Sequence, residues 1–325
     1  MGLIARDQKR NGIKYNGFFG MFDILGYKDL IEHNTLDDIV DIYYNNILNR
    51  EEPAFAFGNS HTPDLSPSVQ AEKLAFSDTF ILYSQFYDGE NSIEKLQRAF
   101  AYVFYSAYLL RFSFDSGIPL RGALCFGEYY VDKENICFLG SPILEAYNAS
   151  NKQNWCGAVI CNSAYNVIKE ILRNNDVLDY IHQMRESCKS KKCDCLSDKD
   201  IDELIIEYKI PYKDYCSEKC RYSKENALRW DDFACRNIVG LVSEYINVDA
   251  KKGDVSSYQG IHKIVRAKFS AHNKDITGND IRKKIEETSK FFDYINNNYS
   301  RQFVIEKPPS SSKHEVPLKI KKLYA

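Results

Sequence analysis

Phe18, Phe19, Met21, Phe22, Ile24 and Leu25 form a dense apolar run that stops at Gly26, and the spacing predicts a buried strand over 13–25. Beyond the glycine the spacing becomes helical. Leu30, Ile31, Leu36, Ile39, Ile42, Tyr43 and Ile47 predict helix over 27–49, divided by an N-cap signal at Asn34-Thr35. Residues 50–70 are rich in Pro, Ser and Gly and read as a loop. The segment 72–84, EKLAFSDTFILYS, reads as two short strands about a tight turn at Ser77-Asp78. A long helix is expected over 92–114, a strand pair bent at Gly127 over 118–132, and a helix with Pro in its first turn over 140–152. CGAVICNSAYNVIKEIL then reads as strand followed by helix. Strands alternating with helices in this order predict an α+β sheet with helices on one face.

After about residue 180 the texture changes. Residues 185–224 are rich in Cys and Lys and poor in aliphatics, whereas 225–247 and 279–300 read as helical. The expected division is a catalytic domain over 13–180, a Cys-rich insertion over 181–224 and a helical part over 225–305. A flexible basic tail over 306–325 completes it. Composition narrows the classes. At 44% hydrophobic, the 325 residues can bury a sizeable core, and a net charge of −2 gives no general attraction to nucleic acid. No stretch approaches the roughly 18 apolar residues of a membrane span, and MGLIARDQKRNG has no apolar signal core. A cytoplasmic protein with no membrane partner is expected, so its ten cysteines are read as thiols or metal ligands.

Two carboxylates break the pattern. Asp23 stands alone in the first apolar run, and Asp78 stands alone in AFSDTFILY. A buried carboxylate is costly without a cation or several donors beside it. If the two segments are neighbouring strands, the carboxylates meet at one sheet edge and repel each other unless they share divalent cations. Hard cations such as Mg²⁺ take oxygen ligands of this kind together with substrate phosphates. Gly26, between strand and helix, would present free backbone N–H groups to phosphate. The plain alternative is that Asp23 caps the following helix and Asp78 is a turn residue. Residue chemistry alone leaves both readings open.

Three segments, in order, resemble the class III nucleotide cyclase catalytic domain: FFGMFDILGYKDL, KLAFSDTFILYS, and LRGALCFGEYYVDKENICFLGSPILEAYNAS. The match covers roughly 13–165. The resemblance implies a ferredoxin-like palm and a head-to-tail homodimer with sites at the interface. It also implies attack of a ribose 3′-hydroxyl on the α-phosphate of a nucleoside triphosphate. Asp23 and Asp78 would hold two Mg²⁺ or Mn²⁺, with the Ile24 carbonyl as a further ligand. Leu25, Gly26, Tyr27 and Lys28 would form the phosphate turn, and Tyr27 is also a candidate for stacking on base or ribose.

The chain departs from the family's adenine-reading pattern. Leu74 stands four residues before the second Asp, where a Lys is expected, and Cys137 stands at the partner acid. A site built to hydrogen-bond adenine fails with those side chains. Leu144 and Asn148 occupy the positions of the family's transition-state Asn and Arg, leaving Arg121 in LRGAL as the candidate supporting cation. With these departures the chain is similar to the pyrimidine cyclases of Pycsar anti-phage systems. That similarity implies cyclic CMP or cyclic UMP made as a second messenger and read by a separate effector. Two rivals remain: a cyclase-like protein that binds nucleotide without turnover, and a related nucleotidyltransferase that makes an oligonucleotide.

Cys188, Cys193 and Cys195 in CKSKKCDC, with Cys216 and Cys220 in CSEKC, form a candidate structural Zn²⁺ site in a segment too poor in aliphatics to hold its own core. Cys125, Cys137, Cys156 and Cys161 read as small core residues. The six histidines form no triad pattern, and no GxxxxGK[ST] loop is present. Basic residues at 263–268 and 281–284 read as solvated helix faces.

Overall fold

The computed structural model describes residues 12–44, 72–191, 205–213, 222–228 and 258–299. β1 (Ile13–Ile24) is followed by α1 (Tyr27–Glu32) and α2 (Leu36–Tyr43), then by β2 (Glu72–Phe76) and β3 (Thr79–Tyr83). The long helix α3 (Ser92–Asp115) leads into β4 (Leu120–Asp132). These four strands lie in the order β2-β3-β1-β4, each antiparallel to its neighbour. This is the ferredoxin-like arrangement of two crossovers about a hairpin, and the fold is α+β.

Local chemistry sets the helix starts. Thr35 and Asp38 close a capping box on α2, and Asn91 and Glu94 close one on α3. The 24 residues of α3 run about 36 Å across the sheet.

β5 (Cys137–Gly140) folds back on the far end of β4, and α4 (Ser141–Lys152) returns along the sheet. β6 (Gly157–Ile160) then joins β4 in parallel, followed by α5 (Asn162–Leu172) and α6 (Asn175–Lys191). β7 (Ile205–Pro211) and β8 (Tyr222–Leu228) extend the sheet beyond β6, in the order β6-β8-β7. The described part of the chain ends with α7 (Tyr258–Phe269) and α8 (Asn279–Tyr299).

Several expectations are corrected. Helices cover both faces of the sheet rather than one. Phe18 stacks on Tyr102 of α3, and a Cβ on Gly20 would stand 2.6 Å from the Tyr102 hydroxyl, so the even positions of β1 face α3. Asp23, an odd position, meets Ser150 of α4 on the other face. Residues 120–132 are one strand, not a pair. The ladder with β1 runs unbroken through Gly17 opposite Gly127, so Gly127 is a bend within it. Residues 225–228 are strand rather than helix: SKENAL is pulled onto the sheet by pairing with β6 and β7, which outweighs its helical propensity. The helix α6 has no counterpart in the sequence reading.

The core runs continuously from the palm into the C-terminal helices. Trp155 is fully buried, stacked on Tyr208 of β7 at 5.5 Å and edge-on to Phe291 of α8 at 4.6 Å. The Thr288 hydroxyl of α8 accepts from the Cys156 N–H at 2.9 Å. The end of α7 and the α7–α8 connection hold the end of α3 and the loop after it: Lys268 donates to Asp115 O at 2.8 Å and the His272 ring to Ser116 O at 2.7 Å.

Cys188 lies on α6, whereas Cys193, Cys195, Cys216 and Cys220 lie outside the described residues, as does the tail 306–325. Among the described residues, no helix is long and apolar enough to cross a membrane.

Candidate active site

β1 delivers Asp23 to the end of the sheet, opposite Thr79 of β3 and Arg121 of β4. Its Oδ1 accepts from the Thr79 hydroxyl at 2.9 Å, and its Oδ2 accepts from the Ser150 hydroxyl at 3.3 Å. Arg121 Nη2 stands 3.6 Å from the same Oδ2. The apolar run therefore tolerates its carboxylate because a cation and two hydroxyls converge on it. Gly26 is the N-cap of α1 and α1 has no side-chain cap, so Asp23 does not cap the helix.

Asp78 follows Ser77 in the β2–β3 turn, where Ser77 holds φ 55. It precedes Thr79, the residue opposite Asp23, so the register brings the turn to the end of β1, and the charges of both Asp23 and Asp78 act on Arg121. The Ile24 N–H donates to Asp78 O at 2.8 Å, tying the turn to the end of β1. Asp78 is half-buried. Both the turn role and the edge position of Asp78 are present. The two carboxylates supply hard oxygen donors at one edge, a set that fits Mg²⁺ or Mn²⁺ rather than a thiophilic ion.

Arg121 is 7% exposed. Its Nη1 donates to Gln153 O at 3.1 Å and its Nη2 to Asn151 Oδ1 at 3.3 Å, while Nε finds no acceptor among the described residues. Burial pulls its pKa down, and the charges of Asp23, Asp280 and Asp78 oppose that pull. Gln153 in turn donates to Gly122 O at 2.8 Å and accepts from the Trp155 indole at 2.8 Å.

Further cations lie near. Residues 212–213 return to the end of α4, where Tyr212 bridges Gln153 and the Lys213 N–H donates to Lys152 O at 2.8 Å. Burial lowers the Lys213 pKa, helped by the charges of Arg121 and Lys284, with Asp280 and Asp23 opposing. Lys284 itself pairs with Asp280 on α8. Thr79, Ser150, Gln153 and Lys213 were not legible as site residues. Only the register and the return of α4 bring them to Asp23.

The remaining expected site residues are spread more widely. Leu25, Gly26 and Tyr27 form the turn after β1, with the Leu25 N–H donating to Pro119 O at 2.9 Å. Lys28 is exposed and ion-pairs with Glu32 at 3.6 Å. Leu74 lies on β2, opposite Ile81. Cys137 pairs with Asp132, 11 residues along β4 from Arg121, so it lies roughly 30 Å from Asp23 in the same chain. Leu144 and Asn148 are exposed on α4.

Gly26 sits at φ 79, and a Cβ there would meet the Lys274 side chain at 3.3 Å. Gly26→Ala is expected to cost about 1–2 kcal/mol, read as a shift in the urea midpoint. An unchanged midpoint would show that this turn relaxes freely.

Lys274 is 6% exposed and donates to Gly117 O. Burial pushes its pKa from 10.5 down to about 8, against the opposing charge of Asp29. Because the folded value is below the unfolded one, the unfolded chain binds more protons between these values, and stability rises with pH across that window. Relative to Lys274→Met, the native protein should gain up to about 3 kcal/mol between pH 8 and 10.5. A difference independent of pH in denaturant melts would contradict this.

No protein-family model and no curated protein matches the chain. Among solved structures it is similar to the adenylyl cyclase CyaB from P. aeruginosa, at 12% identity and TM-score 0.40, covering 67% of this chain and 95% of that one. It is also similar to the monomeric guanylyl cyclase domain of the RhoGC fusion protein from the aquatic fungus Blastocladiella emersonii, at 16% identity and TM-score 0.35, covering 49% and 89%. A third is a class III adenylyl cyclase-like ATP-binding protein from Pseudomonas aeruginosa, at 15% identity and TM-score 0.32, covering 59% and 49%.

Proposed function

We propose that the chain is a nucleotide cyclase acting on a nucleoside triphosphate, CTP or UTP, as a head-to-tail homodimer. The observation that carries this reading is the register that brings the Asp78 turn to Asp23 at one end of the sheet, with the buried Arg121 against Asp23 and under the charge of both carboxylates. Bound Mg²⁺ or Mn²⁺ would acidify the ribose 3′-hydroxyl and screen the phosphates. Asp23 and Asp78 would hold the ions, with the Ile24 carbonyl as a further ligand. Thr79 and Ser150 fix the orientation of Asp23. Arg121, with Lys213 and Lys284 behind it, supplies positive charge toward the triphosphate, in place of the Arg that α4 lacks at Asn148. The 3′-oxygen bonds to the α-phosphorus, the bond to the β-phosphate's bridging oxygen breaks, pyrophosphate leaves, and the hydroxyl proton passes to solvent.

The distance to Cys137 supports two chains per site. A base pocket containing Leu74 and Cys137 cannot include Asp23 of the same chain, but a second chain could bring them together. Leu139, Leu144 and Tyr147, each more than half exposed, offer apolar surface for that contact. The apolar pair favours a base other than adenine. The product would act as a cytoplasmic second messenger in anti-phage defence, read by a separate effector. The exposed Leu144 favours one second reading, nucleotide binding without turnover.

The deciding experiment incubates purified protein with Mn²⁺ and each of ATP, GTP, CTP and UTP, with products read by mass spectrometry. A 3′,5′-cyclic pyrimidine monophosphate supports the proposal. A linear or cyclic oligonucleotide, or bound nucleotide left intact, would overturn it.

A further inference from the structure

A second cluster of metal-ligating groups lies on the α4 face of the sheet, away from Asp23. Cys125 of β4, Glu145 of α4 and Cys161 at the start of α5 place one ligand atom each within 4.8 Å of one another. Cys125 sits opposite Phe19, as Arg121 sits opposite Asp23, so the cluster is four residues along β4, about 13 Å from the carboxylate pair. Cys125 is fully buried and Cys161 is 9% exposed; both are free thiols.

The carboxylate is the unexpected member. Among the described residues Glu145 forms no ion pair. Its Oε2 accepts from the Ser163 hydroxyl at 2.7 Å, and that hydroxyl accepts from the Phe126 N–H at 3.1 Å. One carboxylate oxygen is thus held from behind by a backbone-anchored hydroxyl while the group faces two thiols. Cys125 is hydrogen-bonded to both Cys161 and Glu145, so the three groups already turn toward one another. Two thiolates and a carboxylate are a ligand set for zinc, whose bond lengths put neighbouring ligand atoms about 3.5–3.8 Å apart. Binding would draw the ligand atoms, now within 4.8 Å of one another, closer by about 1 Å. Ser163 supplies the outer hydrogen bond that such ligands usually receive.

We propose that Cys125, Glu145 and Cys161 bind a thiophilic divalent cation of the Zn²⁺ class, pinning α4 to β4 and to the start of α5. The same helix carries Ser150, so the ion would fix the element that orients Asp23. Its ligands include neither Asp23 and Asp78 nor any cysteine of 188–220.

The test titrates the reduced full-length protein with Co²⁺ in the presence of Mg²⁺, reading thiolate-to-metal charge-transfer absorption. Wild type is compared with Glu145→Gln and with the Cys125→Ser/Cys161→Ser pair. Wild type should take up one equivalent more than the double variant. Glu145→Gln, a change at the half-exposed rim that leaves both thiols in the core, should bind that equivalent at least about tenfold more weakly. Equal stoichiometry and affinity in all three proteins would overturn the proposal. So would a Cys125–Cys161 disulfide recovered after thiol trapping at lysis.

Discussion

Asp78→Asn is expected to lower Mn²⁺-dependent nucleotide turnover by about 1,000-fold while shifting unfolding free energy by less than about 0.5 kcal/mol. Asp78 is half-buried in a turn, and among the described residues the turn is held by the Asp78 and Ser77 backbone carbonyls. The amide keeps the shape and loses the charge that the proposed cations would need. Asp23→Asn should cost the same activity and also stability. Asp23 faces Arg121, whose guanidinium is buried whether or not the carboxylate is charged. Removing one partner of a buried pair leaves an uncompensated charge; the remaining bonds to Gln153 and Asn151 limit the cost to about 2–3 kcal/mol. Product mass spectrometry beside urea melts separates the two effects. Turnover surviving in both variants would sink the two-metal assignment; equal stability loss in both would sink the special role of the Asp23–Arg121 pair.

Trp155→Ala carries the largest expected loss of stability, about 4 kcal/mol by thermal or denaturant unfolding. The indole is fully buried between Tyr208 and Phe291, so its removal opens a cavity where the palm, β7 and α8 meet. The effect should reach the active site. The Trp155 N–H holds the Gln153 amide, which anchors on Gly122 O, while the Gln153 carbonyl accepts from Arg121. Trp155→Phe, which keeps most of the apolar volume but not the N–H, should recover most of the stability and less of the turnover. If Trp155→Ala unfolds like wild type, the C-terminal helices do not share the core of the palm.

The apolar run of β1, the turn at Ser77-Asp78, the cap signal at Asn34-Thr35 and the strand-helix unit after Gly157 were legible in the residues alone. Each depends on interactions within a few positions of chain. Asp23 and Asp78 were legible for a related reason: a single charge inside an apolar run is anomalous wherever the run folds. Nothing local marks Thr79, Ser150 or Gln153 as their neighbours, or Arg121 as the partner of Asp23. Strand register and the return of α4 decide those contacts, across separations as long as 127 residues between Asp23 and Ser150. The same long-range pairing overrode local preference at 225–228 and made Gly127 a bend rather than a turn. It also gathered Cys125, Glu145 and Cys161, which read singly as two core thiols and an ordinary helical carboxylate. Short-range patterning chose the elements. Side-chain convergence needed the sheet, because a two-residue change in register moves a partner about 7 Å along the strand.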